Sequence, residues 1–433
     1  MKIINPSVFR EYDIRGVAER DFPDALVQDL GRAIGTAIGR GCEADVPVIA
    51  VGRDCRLTSP RLHAALTKGL VASGARVLDI GVVSTPVLYF ACFHWHTDGG
   101  VIITGSHNPA QDNGFKIMRG TGSLHGEAIQ ALRQGIEVED FDSGEGSIEE
   151  RDALQPYLDH AAGQIALGPR RFKVVVDAGN GAGGPSAVTL YRRLGFEVVP
   201  LYCEMDGRFP NHHPDPTVEA NLADLREKVA REGAEVGIAL DGDADRVGAI
   251  DGQGRIIWGD QLMILFGRAI LEEHPGATFI GEVKCSQALY DELARAGGNP
   301  IMWKVGHSLI KAKLKETGAL LAGEMSGHIF FNHRYLGFDD GVYAGARLLE
   351  LLTRSEQPLS ALYDTLPVLH NTPEIRVDCA DAIKFRVVER TAASLRARPD
   401  VLDVIDIDGV RARFADGWGL VRASNTQPSL VLR

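Results

Sequence analysis

Residues 101–117 have the sequence VIITGSHNPAQDNGFKI, which changes character after residue 103. Residues 101–103 are β-branched and uncharged, follow the glycine pair 99–100 that is typical of a turn, and predict the end of a buried strand. The polar run GSHNP at 105–109 then places a serine hydroxyl just past that strand. The alternative is an ordinary turn, since Gly, Ser, Asn and Pro are common turn residues.

A succession of strand, helix and strand occurs three times along the chain. The predicted elements are a strand at 48–52, a helix at 59–73 and a strand at 76–80, with a further helix at 85–94 before the serine strand; then 172–177, 185–194 and 196–201; and then 278–283, 286–296 and 300–304. Strands that alternate with helices imply mainly parallel sheets with helices packed on them. Ligands of such folds bind beyond the carboxyl ends of the strands, so we expect functional residues in the loops that follow strands.

Four domains are predicted, because 433 residues are too many for one hydrophobic core. The first three are expected to be α/β domains, and the last, with short β-rich runs and one helix at 381–397, a smaller α+β domain. The boundaries use an acidic, aperiodic linker at 137–150, a turn signal at 251–254 and a segment with three prolines at 355–373. The predicted domains are 1–148, 149–250, 251–365 and 366–433.

The composition is that of a soluble globular protein, with 45% hydrophobic and 24% charged residues. The formal net charge of -12 leaves no basic field for non-specific binding of nucleic acid. The six cysteines are scattered, with no C-x-x-C pair, as expected for free thiols in a reducing cytoplasm. No apolar run approaches membrane-spanning length. We expect a cytoplasmic protein without nucleic-acid or membrane partners, and a monomer.

The strongest chemical signal is LDGDADR at 240–246, which follows an apolar run. Three carboxylates fall within five residues: Asp241, Asp243 and Asp245. Such close like charges repel unless a cation neutralises them, and carboxylate oxygens are the ligands that Mg²⁺ prefers. An EF-hand loop is excluded, because its sixth and twelfth positions would be Arg246 and Gly252. The alternative is a solvated acidic turn.

A competing motif lies at 179–184, where GNGAGG fits the G-x-G-x-x-G fingerprint between a predicted strand and a predicted helix. Glu204 follows the next strand, as the fingerprint requires. Taken alone, this motif would indicate an NAD-dependent oxidoreductase. It explains neither the aspartates nor the serine loop, and a glycine-rich turn that packs a helix closely on its strand is the alternative.

Three further loops are more polar than a fold alone requires. VGHS at 305–308 follows a predicted strand, and GEMSGH at 323–328 offers a carboxylate, a hydroxyl and an imidazole, which suit sugar hydroxyls. RASNTQP at 422–428 joins a guanidinium to two hydroxyls and an amide, a combination that suits a phosphate group. Each loop by itself is also compatible with an ordinary turn. Together with the acidic loop, they indicate a phosphorylated sugar as the substrate.

The chain resembles the α-D-phosphohexomutase family over almost its whole length, through motifs in one order: TGSHNP with NGFK, DGDADR, GEMSGH and RASNTQP. The GEMSGH motif is most similar to that of the phosphomannomutase/phosphoglucomutase branch. The resemblance implies three similar α/β domains and a smaller fourth domain around a central cleft. It also implies interconversion of the 1-phosphate and 6-phosphate of mannose, glucose or both, through an enzyme phosphoserine and a hexose 1,6-bisphosphate.

The resemblance assigns the phosphoryl carrier and its metal. Ser106 matches the family's phosphoserine, and Arg246 adds a positive charge for the transferring group. His107 is expected to orient the phosphate. Mg²⁺ is expected to bind a phosphoserine oxygen and three carboxylates: Asp241, Asp243 and Asp245. Glucose 1,6-bisphosphate is expected as the activator.

Two residues are candidates for the general base that accepts the proton of the sugar hydroxyl. Lys116 is the first, because Mg²⁺ and Arg246 would depress its pKa. His307 is the second, because imidazole titrates near neutrality.

The remaining site residues are assigned to the substrate by motif. Sugar hydroxyls are expected to bind Glu324, Ser326 and His328. The phosphate that is not transferred is expected to bind Arg422, Ser424, Asn425 and Thr426. Further cleft contacts are expected from Tyr12, Arg15, Lys284 and His307.

A moving last domain is the final expectation. It carries the phosphate loop, and the proline-bearing segment 355–373 would serve as a defined hinge. The sequence stops at Arg433, directly after a predicted strand, where relatives usually continue into a helix, so the completeness of this domain is left open. The alternatives for function are a phosphoglucosamine mutase, a metal-dependent sugar phosphatase and a non-catalytic sugar-phosphate-binding protein.

Overall fold

Four β-sheets follow one another along the chain, and each of them organises one domain. The computed structural model describes residues 4–370, 372, 374–425 and 427–433. The predicted fold class, three α/β domains with mainly parallel sheets and a smaller α+β C-terminal domain, is confirmed. Within the described ranges, no helix is both long enough and apolar enough to cross a membrane.

The first domain is built on a mixed sheet. Its strands are β1 (Ile14–Val17), β2 (Val48–Arg53), β3 (Arg76–Val82), β4 (Gly99–Ile103), β5 (Asp112–Arg119), β6 (Gly122–Ser123) and β7 (Ser147–Glu150). Its helices are α1 (Ala18–Asp21), α2 (Asp24–Gly39), α3 (Ser59–Ala72), α4 (Thr85–Trp95) and α5 (Glu127–Val138). In the order β1-β5-β4-β2-β3-β7, the last four strands run parallel, whereas β5 is antiparallel to both of its neighbours.

The second domain has a smaller sheet of the same design. Its strands are β8 (Lys173–Asp177), β9 (Glu197–Leu201), β10 (Val236–Leu240), β11 (Val247–Asp251) and β12 (Ile256–Ile257). Its helices are α6 (Leu154–Gly163), α7 (Gly184–Arg193) and α8 (Ala223–Glu232). The order is β12-β11-β10-β8-β9, with β10, β8 and β9 parallel and the other two strands antiparallel to their neighbours.

The third domain has four strands in the order β14-β13-β15-β16, of which the first three are parallel. These strands are β13 (Thr278–Glu282), β14 (Asn299–Trp303), β15 (Leu321–Gly323) and β16 (Ile329–Phe331). The helices are α9 (Gly259–Glu273), α10 (Gln287–Arg295), α11 (His307–Thr317), α12 (Gly341–Arg354) and α13 (Leu359–Tyr363).

The C-terminal domain packs one helix, α14 (Asp381–Arg396), against an antiparallel sheet. The strands are β17 (Ile375–Asp378), β18 (Asp403–Ile405), β19 (Val410–Phe414), β20 (Gly417–Ala423) and β21 (Ser429–Leu432). Their order in the sheet is β17-β21-β20-β19-β18.

The first three sheets share one arrangement that places the functional loops. In each, the third strand of a parallel trio is followed by a strand that pairs antiparallel with it: β5 follows β4, β11 follows β10 and β16 follows β15. The corresponding return in the last sheet is from β20 to β21. The four returns hold the four motifs, at 104–111, 241–246, 324–328 and 424–428. The polar loops therefore lie at the carboxyl ends of strands, where ligands of α/β folds bind.

One continuous apolar cluster joins the first three domains. It includes Tyr157 of α6 and Tyr343 of α12, and Tyr157 also donates hydrogen bonds of 3.1 and 3.0 Å to the carboxylate of Asp340. Among the described residues, none of the four apolar clusters includes a residue after Leu366. The C-terminal domain therefore does not share the core of the other three.

Two local expectations are wrong. The predicted linker at 137–150 ends in β7, which pairs parallel with β3, and Arg76 and Glu149 form an ion pair of 2.5 Å across that pairing. Gly99 and Gly100, predicted to form a turn, lie inside β4. Glycine is needed at both positions because a Cβ would lie 2.4 Å from a helix side chain that packs on the sheet. In both cases the partner that decides the conformation comes from elsewhere in the chain.

Candidate active site

Ser106 lies in the β4–β5 loop and faces the metal loop, which we define as residues 241–246. Its φ of 48° is in the left-handed region, which is uncommon for a residue other than glycine. The buried Oγ donates a hydrogen bond of 2.8 Å to Asp241 and lies 3.1 Å from His107 Nδ1. Gly242 allows this approach, because a Cβ there would lie 2.3 Å from the carbonyl oxygen of Ser106. Two loops that are distant in sequence therefore meet.

Arg56 binds the backbone of the serine loop, residues 104–111, and was missed by the sequence analysis. Its guanidinium is fully buried and pairs with Asp54 at 3.1 Å. It also donates hydrogen bonds of 2.6 to 3.0 Å to the carbonyl oxygens of Ser106, Asn108, Pro109 and Asp112. A buried guanidinium is stable only when its donors are satisfied, and here the serine loop supplies the acceptors. The available signal was an arginine in the loop that follows β2.

The metal loop forms a buried carboxylate cluster. Its members, none of which has more than a trace of exposure, are Asp241, Asp243 and Asp245. Burial, followed by the charge of Asp243, raises the pKa of Asp241 well above its usual value. Oδ1 of Asp243 and Oδ1 of Asp245 are buried without a hydrogen-bond partner among the described residues. One oxygen from each aspartate lies within 4.8 Å of the others, so the cluster can hold a metal ion.

Lys116 of β5 is the charged neighbour of this cluster. Its ammonium donates a hydrogen bond of 2.7 Å to Asp243 and also pairs with Asp245. Burial alone would lower the pKa of Lys116, but the two carboxylates outweigh burial and raise it. The depression of this pKa that the sequence analysis expected is therefore not seen, because the contacts of the ammonium are anions.

A row of basic side chains links the metal loop to the third domain. Arg246 Nε donates a hydrogen bond of 2.9 Å to His328 Nε2, so His328 carries its proton at Nδ1, which lies 2.9 Å from Asp339. Lys311 binds the other oxygen of Asp339 at 3.0 Å, and His307 stacks on His328 with 5.7 Å between ring centroids. Sequence analysis missed Asp339, whose only signal was a pair of acids after the sugar loop. This carboxylate holds the row in place.

Both remaining candidate histidines are neutral at pH 7. Burial, followed by the charge of Arg246, lowers the pKa of His107 well below its usual value. Burial, followed by Lys311, does the same to the pKa of His307. Each ring therefore keeps a lone pair that can accept a hydrogen bond or a proton.

The sugar loop, residues 324–328, is tied to the start of α11. Glu324 accepts a hydrogen bond of 2.6 Å from the backbone N–H of Gly306 and another of 2.9 Å from the Ser326 hydroxyl. Gly306 has a φ of 125°, and a Cβ there would lie 2.5 Å from the ring of Tyr12. Glycine is therefore required where the first and third domains touch.

The phosphate loop, residues 422–428, meets the other loops through Tyr12. Asn425 donates a hydrogen bond of 2.8 Å to the Tyr12 hydroxyl, which itself donates to the carbonyl of Val305 at 2.7 Å. Arg422 is held by Asp408 at 3.1 Å. Ser424 is buried in the same loop, whereas Thr426 lies outside the described residues.

Two predicted contacts lie at the margins of this network. Arg15 binds Asn108 of the serine loop at 3.1 Å and Asp13 at 2.6 Å. Lys284 pairs with Glu374 of the C-terminal domain at 3.3 Å. The structure thus brings the serine, metal and sugar loops into direct contact, whereas Lys284 and Arg422 are engaged with carboxylates of the C-terminal domain.

The glycines at 179–184 pack against the metal loop. A Cβ at Gly181 would lie 2.6 Å from the carbonyl oxygen of Gly242, and one at Gly183 would lie 2.4 Å from Ala244. Ala182 also donates a backbone hydrogen bond of 2.9 Å to Gly242. The close contact between the two loops explains the glycines and favours the structural interpretation of the G-x-G-x-x-G pattern.

Fold and site together define the class of the protein, a four-domain phosphotransferase whose serine lies against a carboxylate cluster. Sequence models of phosphoglucomutase/phosphomannomutase alpha/beta/alpha domains I, II and III match residues 6–143, 155–254 and 258–369, and that of the C-terminal domain matches 374–433. This chain belongs to the phosphoglucomutase/phosphomannomutase family, and the family predicted from the motifs is confirmed.

Similar proteins cover nearly the whole chain. A phosphomannomutase/phosphoglucomutase from Pseudomonas aeruginosa is 48% identical over 428 residues, which cover 99% of this chain and 91% of that protein. A phosphoglucomutase from Neisseria gonorrhoeae is 46% identical over 436 residues, covering 100% of this chain and 94% of the other. A crystal structure of a phosphoglucomutase/phosphomannomutase family protein from Burkholderia thailandensis has a TM-score of 0.92 at 43% identity and covers 99% of this chain and 93% of that chain.

Proposed function

We propose that the protein is a phosphohexomutase that interconverts the 1-phosphate and 6-phosphate of mannose, glucose or both. The observation that carries the proposal is the hydrogen bond of 2.8 Å from Ser106 Oγ to Asp241 in the carboxylate cluster. It sets a nucleophilic oxygen beside groups that can hold a cation, the arrangement that phosphoryl transfer requires.

Ser106 carries the phosphoryl group between two positions of the sugar. Its phosphate passes to the free hydroxyl of a hexose phosphate, which gives a hexose 1,6-bisphosphate. The bisphosphate turns around and returns its other phosphate to Ser106, so that phosphate is conserved. The serine oxygen and the three aspartates would hold Mg²⁺, which when bound neutralises charge on the transferring group. The unpartnered oxygens of Asp243 and Asp245 support this assignment.

The proton of the attacking sugar hydroxyl has two candidate acceptors. His307 is neutral, because burial and Lys311 lower its pKa, and it lies beside His328 and the sugar loop. Lys116 is next to the carboxylates, where it becomes a base only once a cation shares those anions. His107, at 3.1 Å from Ser106 Oγ, orients the phosphate.

Substrate binding divides between two loops. Glu324, Ser326 and His328 hold sugar hydroxyls, since they offer acceptors and donors in a hydrogen-bonded arrangement in which Glu324 and His328 are buried. The phosphate that is not transferred binds Arg422, Ser424, Asn425 and Thr426. Tyr12, Arg15 and Lys284 complete the contacts, with Arg246 near the transferring group.

Intact-mass analysis with peptide mapping tests this function. Treatment with glucose 1,6-bisphosphate, the proposed activator, is expected to leave one phosphate on Ser106. Ser123→Ala, which removes a serine outside the site, should be phosphorylated like the parent protein, whereas Ser106→Ala should not. Phosphate on another residue would reject the proposal. Release of inorganic phosphate in place of the isomeric sugar phosphate would indicate the phosphatase, and preference for glucosamine phosphates the phosphoglucosamine mutase.

Other properties remain part of the proposal. The domain boundaries 1–148, 149–250, 251–365 and 366–433 are supported by one sheet in each interval, although β7 and β11 cross the first two boundaries and β12 lies beyond the second. A cytoplasmic location is supported by six cysteines that are all free thiols. The monomeric state is checked by light scattering on a size-exclusion column.

A further inference from the structure

The loop between β18 and β19 places a carboxylate behind the phosphate loop. Asp408 accepts hydrogen bonds from Arg422 Nη2 at 3.1 Å to one oxygen and 3.3 Å to the other. The two side chains are only 13% and 6% exposed, so water screens the pair little. Gly409 has a φ of 87°, and a Cβ there would lie 2.5 Å from that of Arg422, so the glycine lets the loop lie flat against the arginine.

The same carboxylate reaches the third domain. Asp408 Oδ2 accepts a hydrogen bond of 2.9 Å from the backbone N–H of Val305. The carbonyl of Val305 accepts the Tyr12 hydroxyl, and the next N–H, that of Gly306, donates to Glu324. The backbone of Val305 and Gly306 therefore connects the sugar loop, the first domain and Asp408.

This contact differs in kind from another link between these two domains. Arg411 of β19 is 2% exposed and donates hydrogen bonds of 2.7 Å to the carbonyls of Val283 and Cys285. It joins the domains, but within the described ranges its hydrogen bonds reach no residue of the phosphate loop. Asp408 alone, among the described residues, gives one carboxylate both to Arg422 and to the backbone of the third domain.

We propose that Asp408 is a positioning residue that couples the grip on the phosphate that is not transferred to closure of the C-terminal domain. The inference rests on the proposed function of the phosphate loop. Asp408 orients the Arg422 guanidinium only while its oxygen also docks on Val305. A hexose bisphosphate that turns around in the site is thus retained as long as the domain stays docked, and undocking of Asp408 releases it.

Asp408→Asn tests the inference, because its amide keeps the shape but loses the negative charge and one of the two oxygens that accept from Arg422. Asp406→Asn is the matched control, since Asp406 lies in the same loop, is 60% exposed and, of the residues that the structure describes, pairs only with Arg396. With Asp408→Asn we expect a KM for hexose 1-phosphate about tenfold higher. We also expect several-fold more hexose 1,6-bisphosphate released per turnover and a smaller change in kcat. Asp406→Asn should match the parent protein.

A second measurement does not depend on turnover. Binding of inorganic phosphate, followed by calorimetry, should be about tenfold weaker for Asp408→Asn and largely restored in Asp408→Glu, which keeps the charge. Equal binding by Asp408→Asn and Asp406→Asn would overturn the inference. Tighter binding by Asp408→Asn would overturn it as well, because Asp408 would then compete with phosphate. Absence of mutase activity in the parent protein would reject the proposed function, while the phosphate measurement would still decide the role of Asp408.

Discussion

The first three domains and the C-terminal domain are held in the molecule by different forces. One apolar cluster runs through the first three, with buried side chains from α4, α6, α7, α9 and α12. The described residues after Leu366 contribute nothing to that cluster, and the contacts of the C-terminal domain with the third domain include the polar ones of Arg411, Asp408 and Lys284.

The difference separates the residues proposed for phosphoryl transfer from the loop proposed to bind the other phosphate. Ser106, the aspartates and His328 are fixed by the common core, as transfer between closely placed groups requires. The phosphate loop belongs to the C-terminal domain, whose contacts with the third domain include hydrogen bonds and an ion pair. Polar contacts can break and form again without exposing a large apolar area, so this part can open for exchange of substrate.

Ser106→Ala should remove the chemistry and leave the core intact. We expect mutase activity to fall more than about a thousandfold, because the hydroxyl that is proposed to carry the phosphoryl group is removed. The melting temperature should change little, since the substitution deletes a single oxygen and leaves the left-handed φ as it is. Activity of Ser106→Ala close to that of the parent protein would contradict both the carrier role and the comparison.

Arg56→Ala should destabilise the first domain by removing the side chain that binds the backbone around Ser106. Removal of one partner of a buried ion pair typically costs about 3–5 kcal/mol, and here four loop carbonyls also lose their donor. We expect the free energy of unfolding in urea to fall by about that amount. Arg61→Ala, which removes a more exposed arginine paired with Asp24, should change it by less than about 1 kcal/mol. Similar losses in both variants would show that the serine loop does not depend on Arg56.

Asp340 should give the shared core a pH dependence of its own. Burial raises the pKa of Asp340 from 3.8 to about 6 in the folded protein. Protonation therefore favours the folded state, so the contribution is fully present below about pH 4 and is lost as the pH rises through about 6. One pKa unit corresponds to about 1.4 kcal/mol, so the loss amounts to about 3 kcal/mol. Asp340→Asn should lack this loss, and parallel pH profiles of unfolding for the two proteins would contradict the burial.

Local patterns were sufficient for most of the fold. The strand predicted at 48–52 and the helix predicted at 59–73 agree within one residue with β2 and α3, because β-branched runs and helical periodicity are properties of neighbouring residues. The strand at 147–150 was missed, because its acidic residues form a strand only beside β3. Its conformation depends on a partner that is distant in sequence.

The candidate site divides in the same way. Residues such as Ser106 and Asp241 could be singled out, because polar groups that follow a strand are unusual in themselves. Arg56, Asp339 and Asp408 could not, since an arginine or aspartate in a loop is ordinary until its partners are known. The residues that are proposed to touch substrate were thus visible in the sequence, and the residues that orient them required the structure.

Tyr12→Phe should weaken the contact of the C-terminal domain with the other three domains and change the stability of the protein only slightly. The hydroxyl of Tyr12 joins Asn425 of the C-terminal domain to the carbonyl of Val305, so its loss removes a polar contact and almost no apolar area. We expect the free energy of unfolding to fall by less than about 1 kcal/mol, but the radius of gyration from X-ray scattering to rise slightly as the domain opens. Tyr157→Phe is the matched control, because it removes an equivalent hydroxyl inside the common core. An unchanged radius in Tyr12→Phe, or equal expansion in both variants, would mean that the C-terminal domain is held as firmly as the rest.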